Sequence, residues 1–248
     1  MNYIGRLILI LFIAIVAVVL YLWGEFPHKR RETKGLVSQK KVLVILVGGQ
    51  FLFLSLGIYV LAPLINGWGA NYYFVYIVLA TLLLVVLPFL HIDRFDRWSL
   101  RDIGFNRKIL LPKLALFATI SYVIYTIIRI FALAPAYFPF WIILLMFYSN
   151  AIIEEYFNRG IIQSKLETIY DPKHALLLQT IIFTIIHVPA NLANFLENQD
   201  IFLLVTQFVF QIIHGFIYGL LYMKTKNIWP SIICHYFTNW LAPIIFLF

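Results

Sequence analysis

Apolar runs fill most of the chain, and short polar segments interrupt them. The runs lie at residues 4–23, 42–64, 71–91, 110–133, 137–163, 175–195, 201–223 and 228–248. Each approaches or exceeds the roughly 20 residues that cross a bilayer as a helix. The pattern predicts an all-α fold, a polytopic membrane helix bundle of about eight transmembrane helices. The first run is longer than the apolar region of a signal peptide, and a basic stretch follows it instead of a small-residue cleavage pattern. It is expected to be a retained helix.

The interruptions carry turn and charge signals. Residues 29–41 form a basic juxtamembrane loop, and Asn66-Gly67-Trp68-Gly69 is an uncharged turn. In the polar segment 92–109, Trp98, Ile103 and Phe105 alternate with charges, as in a segment lying among lipid headgroups. Ala134-Pro135-Ala136 is a tight link, and a loop is expected from Lys165 to His174, with Asp171-Pro172 as its turn signal. A short acidic loop follows at Glu197 to Asp200 and a basic turn at Lys224 to Asn227.

Composition agrees with this pattern. The 248 residues are 62% hydrophobic and 12% charged, with a mean hydropathy of +0.90, which no ordinary soluble domain shows. The single cysteine, Cys234, excludes an intrachain disulfide. A net charge of +8 raises the question of nucleic acid, but the distribution of the charge argues against it. The loops after the first, third, fifth and seventh spans hold 6, 5, 2 and 2 Lys or Arg residues, and the other loops hold none. Thus 15 of 19 basic residues lie on one side. The positive-inside rule makes that side cytoplasmic and places both termini outside, in a multi-pass protein of the cell membrane.

The candidate chemistry lies within the spans. Glu154, Glu155 and Arg159 sit in one of the most apolar regions, where each charge costs at least a few kcal/mol. Glu155 and Arg159 are four apart, acid first, and can pair on one helix face. Glu154 then points about 100° away, toward histidines of other helices. A helix ending at the headgroups is the alternative reading of the cluster, but three further apolar residues follow it. His187, His214 and His235 fall at depths similar to Glu154 and can share one cavity open to the cytoplasm. A glutamate and a histidine beside one water can act as general bases for attack on a carbonyl. A second histidine and an asparagine, His235 and Asn239 at i,i+4, can stabilise the oxyanion. Glu154, His187 and His235 can equally supply three ligands to a divalent metal such as zinc, although no HExxH motif is present. His214, followed by Gly215, reads better as a packing residue, as does Phe183.

Three patterns stand in order: Glu154-Glu155-x-x-x-Arg159, Phe183-x-x-x-His187 and His235-x-x-x-Asn239. Together they resemble the CPBP (Abi) family of intramembrane proteases, which includes CAAX proteases, bacteriocin-processing enzymes and the type II CAAX prenyl endopeptidase. The segments 219–232 and 99–105 also resemble the family's context. The resemblance covers roughly 99–248 and leaves 1–98 as N-terminal transmembrane helices with a basic cytoplasmic loop. It implies an endopeptidase that cuts a membrane-associated protein or peptide. Glu154 and His187 would activate water, His235 and Asn239 would hold the oxyanion, and Glu155 and Arg159 would support the site. It leaves glutamate-dependent and metal-dependent chemistry both open. The chain looks bacterial, so a bacteriocin or pheromone precursor is the expected substrate. A non-catalytic scaffold or a bacteriocin self-immunity protein is the alternative, and a proton-coupled transporter is disfavoured because no broken span pairs recur in two halves.

Overall fold

A computed structural model describes residues 3–24, 26, 39–61, 63, 70–105, 113–132, 144–145 and 147–239. Among these residues all regular structure is helical. Helix α1 is Tyr3–Leu22. Helix α2 is Gln39–Leu56, continued by the wider turns of Gly57–Leu61. Helix α3 joins Ala70–Ala80, Thr81–Val86, Leu87–His91 and Ile92–Asp96 end to end. Helix α4 is Lys113–Ala132. Helix α5 runs through Phe147–Ile153, the two glutamates, Tyr156–Gln163 and Ser164–Ile169. Then come α6 (Pro172–Ile186), α7 (Val188–Asn198), α8 (Ile201–Thr225) and α9 (Trp229–Asn239).

Six stretches are long and apolar enough to cross a membrane: Tyr3–Leu22, Lys40–Val60, Phe74–Arg94, Lys113–Ile130, Pro172–Asn198 and Ile201–Thr225. They make the chain an integral multi-pass membrane protein. Two expected spans are not among the six. Helix α5 has the length but carries too much charge for a lipid-facing span, and its Tyr156–Gln163 stretch is wholly buried inside the bundle. Helix α9 is described only to residue 239. The basic stretch 29–38, the turn 66–69 and the link 134–136 lie outside the described residues.

Helix α1 shows how the bundle uses an all-apolar sequence. Its buried residues Gly5, Leu9, Ile13, Val16 and Leu20 recur every three or four positions and form one face. Ile4, Leu7, Ile8, Leu11, Ile15 and Val18 face outward, where only lipid suits them. The inner face packs on α4 and α8. The Lys224 ammonium of α8 then donates to the carbonyls of Leu20, Tyr21 and Trp23 at 3.0, 2.9 and 2.6 Å. These acceptors lie at the end of α1, where helical carbonyls lack partners and a cation is favoured.

Helices α6 and α8 approach closely because α8 carries Gly215-x-x-x-Gly219. A Cβ on Gly215 would sit 2.9 Å from the Phe183 ring, and one on Gly219 would sit 2.7 Å from Leu176. The bared carbonyls accept hydrogen bonds from α5: Arg159 to Gly215 at 3.2 Å and Gln163 to Gly219 at 2.9 Å. Tight packing here and the polar anchoring of α5 therefore come from the same two residues.

Three expectations need correction. Residues 175–195 are not one continuous helix. The chain breaks at His187, whose φ of −88° and ψ of −7° end α6, because Pro189 has no N–H and clashes with the preceding turn. In the segment 97–105 the apolar Trp98 and Ile103 do not lie at the surface. Both are buried, Gly104 (φ +96°) is pressed against Tyr222, and the Gly104 carbonyl accepts from the Ile228 N–H at 3.0 Å. Lys165 does not open a loop. Helix α5 continues to Ile169, and the buried Lys165 ammonium is satisfied by Asp96 at the end of α3, beneath the Trp98 ring.

Candidate active site

Helix α5 places the two glutamates between two stretches of wider, i→i+5 turns, Phe147–Ile153 and Tyr156–Gln163. Such turns are rare and often occur at functional sites. Because consecutive side chains diverge around a helix, the two carboxylates meet different helices. Glu154 reaches the break between α6 and α7, and Glu155 reaches α9.

The Glu155 carboxylate is fully buried. Its Oε2 lies 3.2 Å from Arg159 Nε, one turn on, and its Oε1 lies 2.8 Å from His235 Nδ1. Arg159 is also fully buried, and its surroundings offset that cost. Nη2 donates to the Gly215 carbonyl, and the guanidinium carbon stands 4.3 Å from the Phe183 ring centre and 5.4 Å from that of Tyr218. A carboxylate facing Nδ1 makes that nitrogen the protonated one in His235. Nε2 then donates to another group only in the doubly protonated ring.

Glu154 and His187 form a second, more open pair. Their side chains are 26% and 23% exposed, and Glu154 Oε2 lies 3.7 Å from His187 Nε2. His187 Nδ1 is 2.7 Å from the Phe183 carbonyl, which can only accept. That bond sets the tautomer with a proton on Nδ1 and leaves the Nε2 lone pair toward Glu154. Two acceptors thus face each other at 3.7 Å, and Glu154 Oε2 is buried with no hydrogen-bond partner among the described residues. One water about 2.8 Å from each atom would donate to both. The Phe183 ring separates the two pairs, 4.6 Å from the His187 ring and 6.4 Å from that of His235.

The remaining candidates are placed differently. Asn239 is the last residue of α9, one turn beyond His235, and its side chain lies outside the described residues. His214 joins neither carboxylate. It is caged by Tyr122, Tyr125, Phe210 and Tyr218, with ring centres 5.6–5.8 Å away. Among the described residues no three His, Cys, Asp or Glu side chains are placed to hold a metal ion. Glu154, His187 and His235 do not converge as a zinc set: among the described residues no third such side chain joins the Glu154–His187 pair. As placed, these residues do not fit that site.

Three participants were not readable as site residues from sequence. The Gly215 carbonyl and the Tyr218 ring both touch Arg159, and Phe183, expected only to pack, lies between both histidines. The Gly215-x-x-x-Gly219 spacing was a usable signal for the first, and nothing in the sequence marks Tyr218.

Comparison with known proteins gives one finding. Residues 135–241 match the family model described as type II CAAX prenyl endopeptidase Rce1-like. No curated protein and no solved structure matches the chain.

Proposed function

We propose that the protein is an intramembrane endopeptidase, a reading supported by the match of residues 135–241 to the type II CAAX prenyl endopeptidase Rce1-like family model. It hydrolyses a peptide bond of a membrane-associated protein or peptide. The observation that carries the reading is the Glu154–His187 pair, two facing acceptors 3.7 Å apart and partly exposed inside a bundle.

In this reading the water held between Glu154 and His187 attacks the scissile carbonyl. Its oxygen bonds to the carbonyl carbon as Glu154 takes the proton, with His187 holding the second hydrogen. The resulting oxyanion is met by His235 as imidazolium, which Glu155 stabilises, and by Asn239 from the end of α9. Collapse of the intermediate breaks the C–N bond, and the proton on Glu154 passes to the leaving nitrogen. Arg159 keeps Glu155 charged and aimed.

The test uses purified protein in liposomes with two probes, a prenylated CAAX peptide and an unmodified membrane-inserted peptide. Cleavage of either one is expected, and which one is cut assigns the substrate class. Glu154→Gln and His187→Ala each lower the rate by roughly 100- to 10,000-fold without loss of folded protein. Undiminished cleavage by Glu154→Gln removes the assigned base, and no cleavage of either probe by the wild type removes the peptidase reading.

A further inference from the structure

We propose that Tyr218 is a positioning residue that fixes the plane of the His235 imidazole, an inference that rests on the peptidase reading and deepens it. A single in-plane hydrogen bond, such as the one from His235 Nδ1 to Glu155, leaves an imidazole free to swing about that bond. A contact on the ring face removes the freedom. Tyr218, wholly buried on α8, supplies it: its ring lies 5.0 Å from that of His235 at an interplanar angle of 20°.

The same residue holds the helical turn that bears His235. Thr238 Oγ1 gives its proton to the Cys234 carbonyl at 2.9 Å. The 2.6 Å bond between Tyr218 and Thr238 must therefore be donated by the tyrosine. On the other side of His235, Ser231 Oγ donates to the Tyr218 carbonyl at 2.9 Å. Residues 231, 234 and 238 surround His235 on α9, so one tyrosine is bonded to both flanks of the turn and stacked on its ring.

Behind Tyr218 the support continues. His214 stacks on it at 5.7 Å and 4°, and Phe210 stacks on His214 at 5.8 Å and 15°. Residues 210, 214 and 218 are four apart and share one face of α8. His214 Nε2 is buried and makes no hydrogen bond among the described residues, and both faces of its ring are stacked. The column Phe210–His214–Tyr218–His235 is a rigid backing for one catalytic ring.

The experiment pairs peptide cleavage with imidazole NMR. Kinetics are measured with Glu154 intact. Spectra of ¹⁵N-histidine-labelled protein are recorded in the Glu154→Gln background, with the His235 signals assigned by their loss in His235→Asn. Tyr218→Leu is expected to lower kcat roughly 10- to 100-fold with KM nearly constant, and to shift and broaden the His235 signals. Tyr218→Phe, which keeps the ring, restores most of kcat and the sharp signals. Wild-type kcat and spectrum in Tyr218→Leu would overturn the proposal, as would a Tyr218→Phe loss equal to that of leucine. Should Tyr218→Leu not fold, His214→Ala carries the test: a smaller change in the same direction supports the proposal and none overturns it. If the wild type cuts no peptide, the peptidase reading fails, and the His235 spectrum alone decides whether Tyr218 holds the ring.

Discussion

Substituting Glu155 by glutamine removes one charge and almost no volume. Arg159 then stands fully buried beside the Gly215 carbonyl and two ring faces. Breaking a buried ion pair by removing one partner costs about 3–5 kcal/mol. The upper part of that range applies here, because the carboxylate is also the Nδ1 partner of His235. Arg159→Met alone strands the glutamate and costs about as much. Removing both charges together leaves glutamine facing His235 and an apolar chain under Phe183. The double variant is therefore expected to regain at least half the loss of either single one, and so to be more stable than both. Reversible unfolding in mixed detergent micelles, followed through the chain's six tryptophans, reads all four corners of the cycle. Peptide cleavage stays low in all three variants, because His235 has lost its charged partner in each or its partner has lost arginine. A Glu155→Gln cost below about 1 kcal/mol, or a double variant whose loss is the sum of the singles, would show that the pair is not compensating buried charge.

Gly215→Ala places a Cβ 2.9 Å from a Phe183 ring already held by Arg159 and His187, so it is expected to destabilise the protein by about 1–3 kcal/mol and lower cleavage. The control Gly48→Ala meets nothing within 4 Å and should be neutral or stabilising in the same thermal unfolding assay. At the start of α6, Asp171 accepts from the His174 side chain and from the N–H groups of Lys173 and His174, which holds its carboxyl below its ordinary value of 3.8. A depressed carboxyl stabilises the fold above its unfolded value and loses that effect as pH falls through its folded one. Wild type should therefore be more stable than Asp171→Asn above pH 3.8 and converge with it below, in paired unfolding measurements on either side of that pH.

The fold class was legible because a bilayer imposes its thickness on every span, and an apolar run of that length has few other uses. The Glu155–Arg159 pair was legible from spacing alone, since i,i+4 geometry is local. What could not be read is what depends on rotation between helices. Sequence places Glu154, His187 and His235 at one depth but does not say which acid turns to which imidazole. The wider turns flanking the glutamates change that rotation further. Trp98 and Ile103 alternate with charges in the way a headgroup segment does, and the same alternation serves a plug packed on Tyr222 and Ile228. Lys165 looked solvated because its partner, Asp96, lies 69 residues away. The break at His187 was readable in principle, since Pro189 two residues later cannot complete the helix.

Two neighbouring glutamates are a costly choice inside a bundle, and their surroundings explain why one would not suffice. A base must meet water and substrate, and after taking a proton it must give it up again. Glu155 cannot do this: its oxygens are engaged by Arg159 and His235, and no part of it is exposed. Glu154 has the opposite setting: its side chain is partly exposed, and its Oε2 faces an imidazole nitrogen at 3.7 Å with no hydrogen-bond partner among the described residues. A single glutamate serving both histidines would have to lie against Arg159 to keep its charge and away from Arg159 to move a proton. Consecutive helical positions resolve the conflict because their side chains diverge by about 100°. In the proposed reaction one carboxylate is fixed as the counter-ion that keeps His235 and Arg159 in place, and the other is left free to take the proton. The assignment has a direct consequence for mutants. Glu154→Gln should leave unfolding near wild type while removing cleavage, whereas Glu155→Gln should lower both. An enzyme in which the two substitutions behave alike would not divide the work in this way.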